Sequence, residues 1–285
     1  MKNTRRNFIK NTGAAISGAA LLSQLPLTSF GNEGRKLKSF GFQTWTIREA
    51  LNNDFPGTMK KMAALGYKEM EMCSPLGYSN AGFDPLNHMS GAEMRKIVED
   101  SGLKCTSSHF QMGELRESLD NRIEWAQGLG MKQMICSSFG IPDGTLDDYK
   151  KSANELNKIG EKVKAAGLQM GFHNHHMEFE KRDGKLIYDV LMDEFDPNLV
   201  KMQFQVAVIS VGYKAADYFR KYPGRFISAH LADWSAQQEN QVPIGQGVVD
   251  WNDFLKAAKK GGVKNFFVEM DPETFGPSAT YLETI

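Results

Sequence analysis

The six histidines of this 285-residue chain are unevenly placed. His173, His175 and His176 share one short segment, His109 and His230 each close a run of apolar and small residues, and His88 stands apart in a loop-like stretch. Carboxylates occupy comparable positions: Glu71, Asp233, Glu269 and Asp271 lie at or just past the ends of similar runs. Imidazoles and carboxylates together can hold a divalent metal with a coordination position left open. They can also move protons near neutrality, because an unperturbed imidazole titrates at roughly pH 6.5. A solitary histidine at a strand end ordinarily makes a loop or core hydrogen bond. Convergence of several with a carboxylate turns the reading toward chemistry.

Period-two alternation predicts which of them converge. In the fifth strand-like run, Leu168, Met170 and Phe172 form an apolar face, which turns Gln169, Gly171, His173 and His175 the other way. In the eighth, Phe266, Val268 and Met270 oppose Glu269, and the same rule sends Gln203, Gln205 and His230 inward. His173, His230 and Glu269 are thereby aimed at one volume from three strands.

The elements that carry them repeat. A phrase of glycine followed by an apolar residue closes a helical pattern and opens a strand at Gly66, Gly102, Gly130, Gly167 and Gly262, as expected where a left-handed residue ends a helix. Strands are predicted at 39–45, 68–73, 103–109, 132–138, 168–175, 201–208, 226–231 and 265–271, with helices between them. Eight such units predict a single-domain α/β fold, a (β/α)₈ TIM barrel over residues 32–285, whose reactive groups gather at the C-terminal ends of the strands. A doubly wound sheet is the alternative, and the absence of G-x-G-x-x-G after the first strand counts against it.

Charge divides the chain in two. The totals cancel, 34 Lys+Arg against 34 Asp+Glu, but residues 1–31 carry Lys2, Arg5, Arg6 and Lys10 with no acid, so the remainder has a net charge of −4. Thr4-Arg5-Arg6-Asn7-Phe8-Ile9-Lys10 and the weakly apolar stretch behind it read as a twin-arginine export signal over residues 1–31, with the periplasm as destination. The acidic remainder and the lack of a basic stripe argue against nucleic acid as a partner, and no apolar run reaches the roughly 20 residues of a membrane span. Cys73, Cys105 and Cys136 are expected as buried free thiols.

Six motifs, in order, resemble the sugar phosphate isomerase/epimerase family, which has the xylose isomerase-like TIM barrel. They are Gly41 to Arg48, Ser107-Ser108-His109, Gly171-Phe172-His173-Asn174-His175, Tyr222 to Phe226, Val242 to Trp251, and Val268-Glu269-Met270-Asp271. The resemblance implies a divalent metal bound by Glu, Asp, His and Glu on strands five to eight, and proton transfer through an ene-diolate. His230 and Glu269 fall on the last two ligand positions, whereas His173 stands for the first glutamate and Gln205 for the aspartate. That set carries −1 instead of −3, which favours Zn, Co or Mn over Mg. The implied roles are Glu269 with His173 or His175 in proton exchange, and Trp45, Glu71, His109, Glu178 and Asp233 around the substrate. A neutral sugar or keto-sugar is expected, since no phosphate-binding cluster is evident. The alternatives are lyase or dehydratase chemistry on a 3-keto-glycoside, which begins with the same step, and a non-catalytic sugar binder. Metal-dependent cleavage of DNA on the same fold is opposed by the charge. A homodimer is carried only by association with relatives of this kind.

Overall fold

The eight strand segments meet edge to edge and leave no free edge. In the computed structural model, which describes Leu37 and residues 39–285, they are β1 (Gly41–Gln43), β2 (Glu69–Cys73), β3 (Lys104–Phe110), β4 (Gln133–Cys136), β5 (Gln169–His173), β6 (Val200–Gln205), β7 (Phe226–Leu231) and β8 (Asn265–Val268). Each pairs in parallel with its sequence neighbours, and β1 pairs with β8 to close the barrel. This is the expected (β/α)₈ architecture. The signal expected over residues 1–31 lies outside the described residues. Among the described residues, no helix is long and apolar enough to cross a membrane.

The glycine phrases end helices as expected. Gly66, Gly102, Gly130, Gly167 and Gly262 all have positive φ, and the amide of the apolar residue behind Gly130, Met131, donates back to the Ala126 carbonyl. Several strands stop earlier than predicted. β5 ends at His173, not 175, and β6 at Gln205, not 208, because Gln205 caps the 3₁₀ turn Val206–Val211 by accepting from the Ala207 amide. Two helices, Arg48–Asn53 and Phe55–Ala64, join β1 to β2, the helix Met112–Leu129 follows β3, and a further helix, Phe275–Leu282, follows β8.

Apolar side chains on the outer faces of the strands, among them Met70, Met72, Phe172 and Phe204, are fully buried under the helices. Burying a side chain of this size stabilises by roughly 1.5–3 kcal/mol. The barrel interior is polar in layers. At its N-terminal end Glu69 accepts from Ser39, Thr106 and Asn265, and Gln133 donates to Asn265. Every polar group sealed inside needs such a partner, so this layer is a plug of hydrogen bonds beneath the functional one. Cys73, Cys105 and Cys136 are buried and free, as expected.

Candidate active site

A cavity of about 610 Å³ opens at the C-terminal ends of the strands. Its floor includes His109 from β3, Gln205 from β6 and Glu269 just past β8, with His175 from the loop after β5 at its side. Strand alternation places these groups, and burial then fixes their hydrogen bonds, since each has protein on most sides.

His230 is the hub beneath the floor. Its Nδ1 donates to Glu269 Oε2 at 2.9 Å, and its Nε2 donates to Glu71 Oε2. Neither side chain of the His230–Glu71 pair is exposed. Glu71 Oε1 also accepts from Ser107 Oγ at 2.6 Å and from Gln203 Nε2 at 2.7 Å. Gln203 turns its carbonyl oxygen to His109, whose Nε2 donates to it at 2.7 Å and lies 3.3 Å from Glu71. Gln205 Nε2 donates to Glu269 Oε2 at 2.7 Å.

These contacts set the charges. Burial would push the Glu269 carboxyl up, but His230 against it holds it well below the ordinary range. Glu71 is lowered in the same way: burial opposes, and His109 and His230 prevail. His230 is raised, because Glu269 and Glu71 outweigh the burial that would lower it. The ground state at neutral pH is therefore one imidazolium between two carboxylates, a net charge of −1. His109, His173 and His175 are neutral there. Burial lowers His109 despite Glu71, burial and His230 lower His173 strongly, and burial holds His175 at about 4.

The Xylose isomerase-like TIM barrel family model matches residues 59–284. The chain belongs to that family. Among solved members of similar fold, a sugar phosphate isomerase/epimerase from Parabacteroides distasonis has a TM-score of 0.74 at 23% identity, covering 91% of this chain and 98% of that one. The IOLI protein, solved with a bound zinc atom, has a TM-score of 0.61 at 16% identity and covers 86% of this chain and 94% of that one. At these identities the likeness is one of fold. Inosose dehydratase from Clostridium perfringens is 31% identical over 116 residues, 40% of this chain and 37% of that protein. Inosose dehydratase from Lacticaseibacillus casei is 25% identical over 158 residues, 48% of this chain and 52% of that protein. The chain thus spans about a third to a half of the length of these curated relatives.

As a xylose isomerase-like barrel, the chain departs from the expected ligand set in its geometry as well as in its residues. His109, His173 and His230 offer ring nitrogens within 4.8 Å of one another, close enough to hold one ion. His173 Nδ1 is buried without a hydrogen-bond partner, which suits a nitrogen waiting for a ligand. His230 could join by releasing one of its carboxylates together with its proton. A divalent ion would then bring the −1 cluster to zero. The residues therefore fit a nitrogen-bound divalent ion. Gln205, expected among the ligands, instead spends its amide on Glu269, and His109, expected at the substrate, joins the imidazole cluster as well as lining the cavity.

The other expected substrate residues divide between the cavity and the structure around it. Trp45 lines the cavity and is 36% exposed. Glu71 is sealed beneath His230, with both oxygens occupied. Asp233 is buried and accepts from the amides of Trp234, Gly245, Gly247 and Val249 and from the Trp251 indole, so it braces the loop after β7. Glu178 is buried and accepts from the His175 amide at 2.6 Å, which fixes the loop that carries His175. Asp233 and Glu178 thus satisfy backbone donors that the loops leave bare, and Glu71 satisfies buried side-chain donors, demands that strand alternation does not register. Gln203 was placed inward by alternation without a role, and the structure makes it the link between Glu71 and His109.

Proposed function

We propose that the chain is an enzyme that removes a proton from the carbon beside the carbonyl of a neutral sugar or keto-sugar. The observation that carries this reading is Glu269: a carboxylate on the cavity floor, kept ionised by His230 and oriented by Gln205. The C–H bond breaks, its proton passes to a Glu269 carboxylate oxygen, and the electron pair moves into the ene-diolate. Protonation of that carbon on its other face, by a donor other than Glu269, gives an epimer; return of the proton from Glu269 to the neighbouring carbon, with the hydroxyl proton passing from one oxygen to the other, gives an isomer. His175, neutral at pH 7 and with a buried, unpartnered Nδ1, supports a role in hydrogen bonding the substrate oxygen. His173 lies deeper, against the rings of His109 and His230, and suits the ion better than the substrate.

A divalent ion held by His109, His173 and His230, with Zn, Co or Mn preferred over Mg for nitrogen donors, would polarise the carbonyl and acidify the adjacent C–H. The zinc bound in the IOLI protein supports this assignment. Neutrality of the substrate is supported by the lining: among the described residues it has no Lys or Arg, and its carboxylates are Glu269 and Asp271. A phosphate dianion would meet like charge with no lysine or arginine in the lining to pair with it.

Elimination begins with the same proton transfer, and the inosose dehydratase relatives favour it as the second reading. The test is incubation of the metal-analysed protein with a panel of neutral keto-sugars in D₂O, followed by NMR. Deuterium at one carbon with all atoms retained supports isomerase or epimerase action, and loss of water or alcohol supports the lyase. No incorporation across the panel would overturn the enzyme reading in favour of a sugar-binding protein.

A further inference from the structure

The lining of the cavity differs between its two halves. The loops after β1, β2 and β4 contribute Trp45, Tyr78 and Phe139, and the one after β3 adds Met112. The loops after β5 to β8 contribute the cavity's carboxylates, Glu269 and Asp271, together with His175 and Gln241.

Hydrogen bonding sharpens the division. On the aromatic half the polar groups are mostly spent within the protein. The Tyr78 hydroxyl donates to Ser137, whose own hydroxyl donates to the Phe110 carbonyl; Ser138 accepts from the Gly140 amide; Gln43 is shared between Cys73 and the Trp45 amide. Three residues that line the cavity each carry a buried, unpartnered polar atom: His175 Nδ1, Gln241 Oε1 and Thr46 Oγ1. Two belong to the β5–β8 half, and the third, on Thr46, lies beside Trp45 at the edge of the aromatic half, where β1 pairs with β8.

The aromatic wall is also rigid. Trp45 lies near parallel to Phe83 at 6.3 Å and edge-on to Tyr78 at 5.9 Å, and Arg48 sits 4.7 Å from its ring centre while donating to its carbonyl. Phe139 packs 4.5 Å from Phe172. A sugar ring placed against this wall would bury hydroxyls with few partners, and each one left unpaired weakens binding. A flat apolar group would bury apolar area against side chains that lose little freedom on binding.

We propose that the cavity takes a glycoside with an aromatic aglycone, the sugar over the β5–β8 half and the aryl group against Trp45, Tyr78 and Phe139. This rests on the sugar-directed reading above and names the substrate class within it. The probes are phenyl and methyl glucopyranosides, both anomers of each, titrated calorimetrically into the full chain. Phenyl is expected to bind at least tenfold more tightly than methyl for the better anomer. Trp45→Ala should bring that ratio close to one, and Trp45→Phe should restore part of it, with circular dichroism confirming that each variant is folded. Should Trp45→Ala fail to fold, the ratio in the parent protein and its change in Trp45→Phe still decide the matter. Equal affinities, absent binding of both probes, or a ratio indifferent to Trp45 would overturn the aglycone subsite. The D₂O exchange on keto-sugars is scored separately, so a failed subsite with positive exchange leaves the enzymatic reading standing.

Discussion

His230 bears a carboxylate on each ring nitrogen, and this one residue sets the electrostatics of the site. Removing either acid has a different consequence. Glu269→Gln keeps the shape and a hydrogen-bond acceptor but abolishes the base; deuterium exchange into an accepted keto-sugar should fall about 10²–10⁴-fold, the span of a general base, with the fold intact by calorimetry. Glu71 touches no substrate, being sealed under the floor. Glu71→Ala leaves a buried imidazolium with one partner and strips the acceptor from Ser107 and Gln203. Urea denaturation should show a loss of about 3–5 kcal/mol, the usual cost of breaking a buried ion pair. A loss under 1 kcal/mol would mean that Glu71 is not the charge partner its geometry makes it. The histidine convergence was legible from alternation, because burial of one strand face fixes where the other points. The pairing of Glu71 with His230 was not, because it spans 159 positions of sequence and is fixed only when the barrel closes.

At the scale of elements, the loops after the strands are held by buried acids. Glu114, on the helix Met112–Leu129, accepts from Ser74 in the loop after β2 and lies 3.5 Å from Arg122. Burial raises its carboxyl to about 7, against the lowering effect of Ser74 and Arg122. A carboxyl raised in the folded state favours the protonated form. Its contribution is therefore full below the ordinary value of 4.5 and is lost as pH rises through about 7. Glu114→Gln should flatten that slope. Between pH 4.5 and 8 the parent chain should lose on the order of 2–3 kcal/mol more than the variant by chemical denaturation, and parallel curves would refute the assignment. Helix stops were readable here because left-handed glycine is a local requirement. Strand ends were overextended at β5 and β6, where Gln205 caps a turn and the chain leaves the sheet.

For the whole molecule, the zero formal charge is the sum of a +4 segment at residues 1–31 and a −4 remainder. We propose export through the twin-arginine route. Replacing Arg5 and Arg6 with Lys should retain the protein in the cytoplasm on cell fractionation, and undiminished export would remove the argument. Composition, alternation and the glycine phrases by themselves determined the barrel, its eight strands in order, and the gathering of His173, His230 and Glu269 at one end. All of these follow from local backbone and burial preferences that repeat along the chain. Tertiary structure alone decided that His109 joins the imidazole cluster, that Gln205 serves Glu269, and that Glu71, Asp233 and Glu178 are braces. Those outcomes depend on which buried donor finds which acceptor across the closed barrel. Each unpaired polar group costs enough that partners are chosen by three-dimensional proximity rather than by spacing in sequence.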